Sequence, residues 1–179
     1  MRVHSSAETT AAVSHVQMPV NVGFVLDHSG SMKGDKMRCV RDATQRTGLP
    51  IAVVIAANRT RHPLDARTLA RLAAQYADRG VVGFGLSNDE RRGSTVEFAP
   101  AFAIAERAGL LLAPHGGELR GPDHVRRCLD DLRADRLGHG VRAVEDPALL
   151  DRIVEAGVAL EVLAATRSPR VSAGCGHWP

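Results

Sequence analysis

Two histidines and one glutamate, close together in the sequence, have side chains that can bind a metal ion or transfer a proton. His115 and Glu118 belong to the pentapeptide Pro-His-Gly-Gly-Glu, and His139 belongs to Arg-Leu-Gly-His-Gly. A neutral imidazole is a good ligand for Zn²⁺. A carboxyl group beside an apolar strand tends to keep its proton, as a general acid must. These three residues are therefore the first candidates for a catalytic centre.

The segment before His115 predicts how that residue is positioned. Residues 110–113, Leu-Leu-Leu-Ala, form a short apolar run that is typical of a buried strand. The imidazole of His115 and the carboxyl group of Glu118 should then emerge together at the carboxyl end of the strand. In enzymes built on a parallel barrel, this end of the strands carries the catalytic residues.

The same alternation of elements extends along the chain. Amphipathic stretches with apolar residues at helical spacing separate the apolar runs, which lie at 51–55, 81–86, 110–113, 136–138 and 158–162. Asp146 before Pro147 is predicted to cap one of these helices, and Asp65 to cap another. Strands that are apolar on consecutive residues require helices on both faces or a closed parallel barrel. The pattern therefore predicts an α/β protein.

From about residue 47 to residue 162, the chain resembles the adenosine deaminase family of zinc hydrolases. The motifs that carry this resemblance occur in the order and spacing of that family. They are Asn-Arg at 58–59, Val-Gly-Phe-Gly-Leu at 82–86, Asp-Glu at 89–90, Phe-Ala-Pro-Ala-Phe at 98–102, His-Gly-Gly-Glu at 115–118, Arg-Leu-Gly-His-Gly at 136–140 and Leu-Glu-Val at 160–162. The resemblance implies an incomplete (β/α)8 TIM-type barrel, with about five parallel strands and their helices.

The resemblance also implies a role for each catalytic candidate. His115 matches a zinc ligand, and Glu118 matches the acid that protonates a ring nitrogen of the purine. His139 matches the histidine that orients and stabilises the attacking hydroxide. The implied reaction is the zinc-assisted hydrolytic deamination of an adenine-type purine or nucleoside.

Substrate contacts follow from the same resemblance, at Gly117 and Asn88. The family usually has glycine at the position of Asn88 and aspartate at the position of Gly85, so this chain departs from the pattern there. The charged segment Asp-Glu-Arg-Arg at 89–92 is expected to belong in part to the family motif and in part to a solvated loop.

The zinc site that the resemblance implies is incomplete in this sequence. The first strand of the family carries a His-x-His pair that provides two ligands, and no His-x-His occurs here. The last strand of the family carries an Asp-Asp pair, whereas the Asp-Asp of this chain, at 130–131, precedes His139. A catalytic zinc site needs about three protein ligands. We therefore expect the activity of this chain alone to be absent or impaired.

The N-terminal region contains a second motif. Residues 22–26 form an apolar run that leads into Asp-x-Ser-x-Ser, with the polar residues Asp27, Ser29 and Ser31. This resembles the opening of a von Willebrand factor A domain, whose adhesion site binds a metal ion through these oxygens. Hard oxygen donors suit Mg²⁺. A magnesium-dependent protein-binding module is therefore an alternative function, and a strand with a Ser-Gly turn that caps a helix is an alternative structure.

The predicted organisation has four parts. Residues 1–20, rich in Ser, Thr and Ala, are expected to be a disordered arm. Residues 21–46 form the von Willebrand factor A-like strand and helix, and residues 47–162 form the partial barrel. Residues 163–179, rich in Arg, Ser, Pro, Gly and Cys, are expected to be an out-of-frame or disordered tail. Because both families are incomplete, a non-functional gene remnant is a third alternative.

Composition restricts the expected partners and location. The net charge of +3 comes from arginines dispersed among acids, and only 3% of the 179 residues are aromatic, so no nucleic-acid partner is expected. No apolar run approaches ~18 residues, so no membrane partner is expected either. Three scattered cysteines favour a reducing, cytoplasmic location. Besides a small purine substrate, self-association is expected through open strand edges near Ile51 and Leu160.

Overall fold

Parallel strands that follow one another in chain order form the sheet. The computed structural model describes residues 22–27, 46 and 51–162. The strands are β1 Val22–Asp27, β2 Ile51–Asn58, β3 Val81–Ser87, β4 Leu111–Gly116, β5 Arg136–His139 and β6 Ala159–Glu161. Each pairs in parallel with the next, so the sheet order equals the chain order. This is the strand order of a (β/α)8 barrel, and the expected partial barrel is confirmed.

Helices connect the strands from β2 onward. They are α1 Pro63–Gln75, α2 Thr95–Arg107, α3 Pro122–Leu132 and α4 Pro147–Glu155, with short 3₁₀ turns at Ala77–Arg79 and Val141–Glu145. The predicted alternation of strands and helices is therefore correct. None of the described helices is long and apolar enough to cross a membrane.

Local capping decides where two of these helices begin. The carboxylate of Asp146 accepts a hydrogen bond from the backbone N–H of Leu149 at 3.2 Å, as predicted. The predicted cap at Asp65 is wrong. His62 caps α1 instead, because Pro63 occupies the first helical position and the ring of His62 accepts the N–H of Leu64.

The main core lies between the sheet and the helices α1 and α2. Phe84 on β3 and Phe102 on α2 are buried and meet edge to face, with ring centroids 5.2 Å apart. Small residues on the buried face of α1, namely Ala66, Ala70 and Ala73, let that helix pack closely. A second cluster under α3 and α4 includes Val125, Leu137 and Leu149. These clusters fix the strands whose carboxyl ends carry the candidate residues.

The strand β1 belongs to the same sheet as the other strands. Its residues Val22 and Asp27 lie opposite Ile51 and Ala56 of β2. The prediction of an unpaired strand edge at Ile51 is therefore wrong, because β1 pairs with that side of β2. Self-association through β6, which is exposed at all three of its residues, stays a prediction.

Some sequence expectations fall on other parts of the chain. The arm at 1–20, the tail at 163–179 and the residues Ser29 and Ser31 lie outside the described residues. Of the proposed magnesium ligands, only Asp27 is described, at the end of β1.

Candidate active site

Strand pairing brings the three catalytic candidates together at one edge of the sheet. His115 of β4 lies opposite Gly138 of β5, and Gly116 lies opposite His139. The side-chain ligand atoms of His115, Glu118 and His139 all lie within 4.8 Å of one another. His139 Nε2 is 3.4 Å from Glu118 Oε2, and the two imidazole rings meet edge to face with centroids 4.7 Å apart. Side chains at the ends of two successive strands thus form one polar cluster.

Two glycines make this close arrangement possible. A Cβ on Gly138 would lie 2.6 Å from Cδ2 of His115, so the imidazole occupies space that any side chain at 138 would fill. Gly117 has a φ of +81°, and a Cβ there would lie 2.7 Å from a methyl group of Val125. The turn from His115 to Glu118 therefore depends on glycine at 117.

The backbone at His139 is strained. Its φ of +75° lies in the left-handed region, which a residue with a side chain rarely adopts. The next residue, Gly140, has a φ of +68° and donates its N–H to the carbonyl oxygen of Gly116 at 2.8 Å. This bond ties the end of β5 to the end of β4. Strain of this kind is typical of functional sites, where the surrounding structure compensates for it.

The peptide group of His115 is held by a buried cation. Arg59, directly after β2, is 1% exposed and donates from Nη2 to the carbonyl oxygen of His115 at 3.0 Å. The guanidinium also lies 3.4 Å from Oγ1 of Thr95. Burial, and then the neighbouring His139, lower the pKa of the His115 imidazole. A neutral ring is the form that binds a metal ion.

Cys128 contacts the same carbonyl oxygen from the helix α3. Its Sγ lies 3.7 Å from the oxygen of His115. Burial raises the pKa of this thiol to about 12, in spite of the nearby Arg59. Because only a thiolate is a strong nucleophile or metal ligand, Cys128 is a packing residue of the site.

Glu90 is a second buried charge at this edge of the sheet. It is 0% exposed, and its carboxylate accepts the backbone N–H groups of Glu118, Leu119 and Arg120 at 3.0, 3.1 and 3.0 Å. Its Oε2 also lies 3.3 Å from Nδ1 of the buried His124. Burial alone would raise the pKa of Glu90, but contact with His124 and the donated N–H groups outweigh it and hold the pKa at about 2.

Sequence reasoning did not assign Arg59, Glu90 or His124 to the site. From the sequence, Arg59 and Glu90 are identified only as parts of motifs, and the loop of Glu90 is predicted to be partly solvated. That interpretation fits its neighbour Asp89, which forms a surface ion pair with Arg91 at 2.8 Å. The usable signal for Arg59 and Glu90 is their position, since both follow closely after apolar parallel strands.

The predicted substrate contacts have different surroundings. Gly117 is buried between the turn and α3, whereas Asn88 is exposed just after β3, with a φ of +81°. A Cβ on Gly85 would lie 2.9 Å from the carbonyl oxygen of Ala113. The strands β3 and β4 thus approach too closely for the aspartate that the family resemblance would place at 85.

The donor set of the cluster fits zinc. Two imidazoles and a carboxylate are ligand types that zinc takes, and donors about 2.0–2.1 Å from one ion lie roughly 3.4 Å apart. The ligand atoms of His115, Glu118 and His139 lie within 4.8 Å of one another, so a metal ion bound to His115 would lie close to the other two side chains. Among the described residues, no other group of three His, Cys, Asp or Glu side chains converges in this way.

The fold and the cluster define a class: a barrel-type α/β protein with a zinc-compatible site at the carboxyl ends of its strands. The family model for adenosine deaminase matches residues 28–168. The chain therefore belongs to the adenosine deaminase family. The matched range begins within the segment assigned to a von Willebrand factor A-like fragment. The comparisons give no support to the magnesium alternative.

Curated relatives are similar over the central part of the chain. A protein of Streptomyces virginiae with a provisional adenosine/adenine deaminase name is 65% identical over 124 residues, which are 69% of this chain and 37% of that protein. The adenine deaminase of Agrobacterium fabrum is 41% identical over 123 residues, or 69% of this chain and 38% of that protein. The chain thus spans less than two fifths of the length of these relatives.

Solved structures share the fold. An adenine deaminase from Arthrobacter aurescens is 26% identical with a TM-score of 0.60, over 70% of this chain and 38% of that one. A zinc-bound amidohydrolase from Burkholderia ambifaria has a TM-score of 0.66 at 23% identity, over 77% of this chain and 41% of that one. The second similarity supports the fold alone.

Adding a methyl group at Gly138 should displace the imidazole of His115. In Gly138→Ala, the new Cβ would overlap with Cδ2 of His115, and the ring must leave its edge-to-face contact with His139. We expect the ring resonances of both histidines to shift in NMR spectra. Gly121→Ser is the control, because a Cβ at 121 has no neighbour closer than 3.6 Å. Unchanged histidine resonances in Gly138→Ala would contradict this packing.

The low pKa of Glu90 predicts acid sensitivity. Its folded pKa of about 2 lies below the ordinary value of 4.5, so the carboxylate stabilises the folded state above pH 4.5 and this contribution is lost as pH falls towards 2. Between pH 6 and pH 3, the loss should be on the order of 2 kcal/mol. Other carboxylates with lowered pKa values contribute to acid sensitivity as well, so in urea unfolding at both pH values the loss should be larger by about this amount in the parent chain and in Asp89→Asn than in Glu90→Gln. An equal loss in Glu90→Gln would refute it.

Proposed function

We propose that this chain carries the acid and histidine part of the catalytic site of an adenine or adenosine deaminase. The observation that supports it is the convergence of His115, Glu118 and His139 at the carboxyl edge of a parallel sheet. The substrate is a small aminopurine or its nucleoside, as the names of the relatives suggest. Water replaces the amino group of the purine, and ammonia leaves.

His115 is the residue that we propose binds zinc. Its ring is held in place by packing against Gly138 and through its own peptide group, and its lowered pKa favours the neutral ligand form. Zinc bound there would act as a Lewis acid and activate a water molecule. The described residues provide His115 as the one ligand of the family type, so we propose that this chain alone has little or no activity.

Glu118 is the proposed proton donor to a ring nitrogen of the purine. Its side chain is 44% exposed, so a substrate at the carboxyl ends of the strands can contact it. Addition of water to the neighbouring ring carbon places negative charge on that nitrogen, and a proton from Glu118 neutralises it. Its nearest polar partner in the cluster is His139 Nε2, at 3.4 Å.

His139 is proposed to orient the attacking water. Its strained backbone directs the ring between His115 and Glu118, where it can accept a hydrogen bond from the nucleophile. Gly117 and Asn88 are the proposed substrate contacts. Gly117 lies in the turn directly before the acid, and Asn88 presents an exposed amide at the neighbouring strand end. We further propose a cytoplasmic location, which suits the buried free thiol of Cys128.

Glu118 should be essential for turnover but not for metal binding. The test is a chimera in which residues 51–162 replace the corresponding segment of the Streptomyces virginiae relative, which is 65% identical over 124 residues. Glu118→Gln should lower the rate of deamination of adenine or adenosine by about 10² to 10⁴. Zinc content, measured by atomic absorption, should stay unchanged. A Glu118→Gln chimera as active as its parent would show that the assigned role is wrong.

His115 should have the opposite signature in the same chimera. His115→Ala removes a zinc ligand, so zinc content and activity should fall together. His62→Asn is the matched control. It also removes an imidazole, but one that does not belong to the cluster of three residues, and asparagine can still cap the start of α1. A His115→Ala chimera that retains full zinc would exclude His115 as a ligand.

A further inference from the structure

The backbone that carries Glu118 is held by one buried carboxylate. Three consecutive N–H groups, of Glu118, Leu119 and Arg120, point to Glu90, one to Oε1 and two to Oε2. Hydrogen bonds to an ionised acceptor are stronger than those between neutral groups. The neighbouring His124 packs against Oε2 with both side chains fully buried. Glu90 is therefore a buried residue whose hydrogen bonds fix the backbone of this turn.

The other side of the same turn is held from β5. The backbone N–H of Arg142 donates to the carbonyl oxygen of Gly117 at 2.9 Å, and its Nη1 donates to that of Leu119 at 3.2 Å. The turn is thus fixed through its N–H groups by the loop after β3, and through its carbonyl groups by the segment after β5. Between these supports, the side chain of Glu118 extends towards His139.

Among the described residues, no comparable set of contacts holds the carboxyl group of Glu118 itself. That side chain is 44% exposed, and its closest contact in the cluster, with His139, is 3.4 Å long. An exposed side chain with one long polar contact takes its position from its backbone. The position of the acid relative to His139 therefore depends on the contacts of residues 118–120.

We propose that Glu90 is a positioning residue for the catalytic acid, with His124 as its buried support. Glu90 acts through the backbone of residues 118–120 and does not touch the substrate. The catalytic meaning of this role rests on the function proposed for Glu118. The mechanical part, fixation of the turn by Glu90, is independent of that function and can be measured in the chain without metal or substrate.

Backbone hydrogen exchange in the full chain tests the mechanical part. Glu90→Gln keeps the shape but loses the charge, and its amide group must present N–H to one of the donors. We expect the amides of Glu118, Leu119 and Arg120 to exchange roughly tenfold to a hundredfold faster by NMR. Contact between the ring of His139 and the side chain of Glu118, measured by nuclear Overhauser effects, should weaken in parallel.

Two other acids provide controls. Asp135→Asn removes the charge from another carboxylate that accepts a backbone N–H, that of Leu112 at 2.8 Å, and should accelerate exchange there but not at 118–120. Asp89→Asn changes the residue adjacent to Glu90, which pairs with Arg91 on the surface, and should alter neither site. Should Glu90→Gln fail to fold, Glu90→Asp keeps the charge and withdraws it by one methylene. It should accelerate exchange at the same three amides by a smaller factor.

The proposal is overturned if exchange at 118–120 in the folded variant changes no more than at Leu112. The chimera described above tests the catalytic part. Glu90→Asp should lower kcat by about tenfold or more, with KM and zinc content nearly unchanged, because a misplaced acid loses proton transfer and not substrate binding. Faster exchange with unchanged kcat would leave Glu90 as a backbone support only and overturn its positioning role. An inactive parent chimera would count against the proposed function, while the exchange result would stand.

Discussion

The close approach of β4 and β5 is the constraint on which the candidate site depends. His115 lies opposite Gly138, and its ring covers the space that a side chain there would occupy. Only with that space free can the ring meet His139 at 4.7 Å, and only then do the two imidazoles and Glu118 form one cluster. Parallel strands place their carboxyl ends at the same edge, but the absence of a side chain at 138 determines how near the histidines come.

The strained backbone of His139 lies at the end of the same pair of strands. A left-handed backbone costs on the order of 1–3 kcal/mol for a residue with a side chain, so neighbouring contacts must offset it. The structure provides two, both in the next residues. Gly140 donates to Gly116, and the N–H of Arg142 donates to Gly117, so the turn after β5 is bonded to the turn after β4. These bonds hold both turns in one arrangement, which a cluster of weakly paired polar side chains requires.

The sequence predicts what depends on local pattern. Apolar runs identify the strands, Asp146 identifies a helix start, and the order of motifs leads to His115 and His139. Two predictions fail, the helix cap at Asp65 and the open sheet edge at Ile51, and each failure has its own physical cause. Asp65 does not cap α1, because Pro63 fixes the start of the helix two residues earlier. The pairing of β1 with β2 depends on a partner far along the chain, and the local pattern of Val22–Asp27 contains no information about it.

Burial of charge is the feature that sequence reading finds hardest, and here it carries the organisation of the site. Arg59 and Glu90 have opposite charge and are almost completely buried. Each is compensated by the same backbone segment, Arg59 through the carbonyl oxygen of His115 and Glu90 through the N–H groups that begin at Glu118. For stability alone, well-packed apolar side chains serve as well as buried ions or better. What buried ions add is a defined backbone position, because a buried ion loses the hydrogen bonds that offset its desolvation if the backbone it binds moves by about 1 Å. The backbone between His115 and Glu118 is therefore held by two buried ions, Arg59 and Glu90. Each of these ions keeps its hydrogen bonds only while that backbone stays in position.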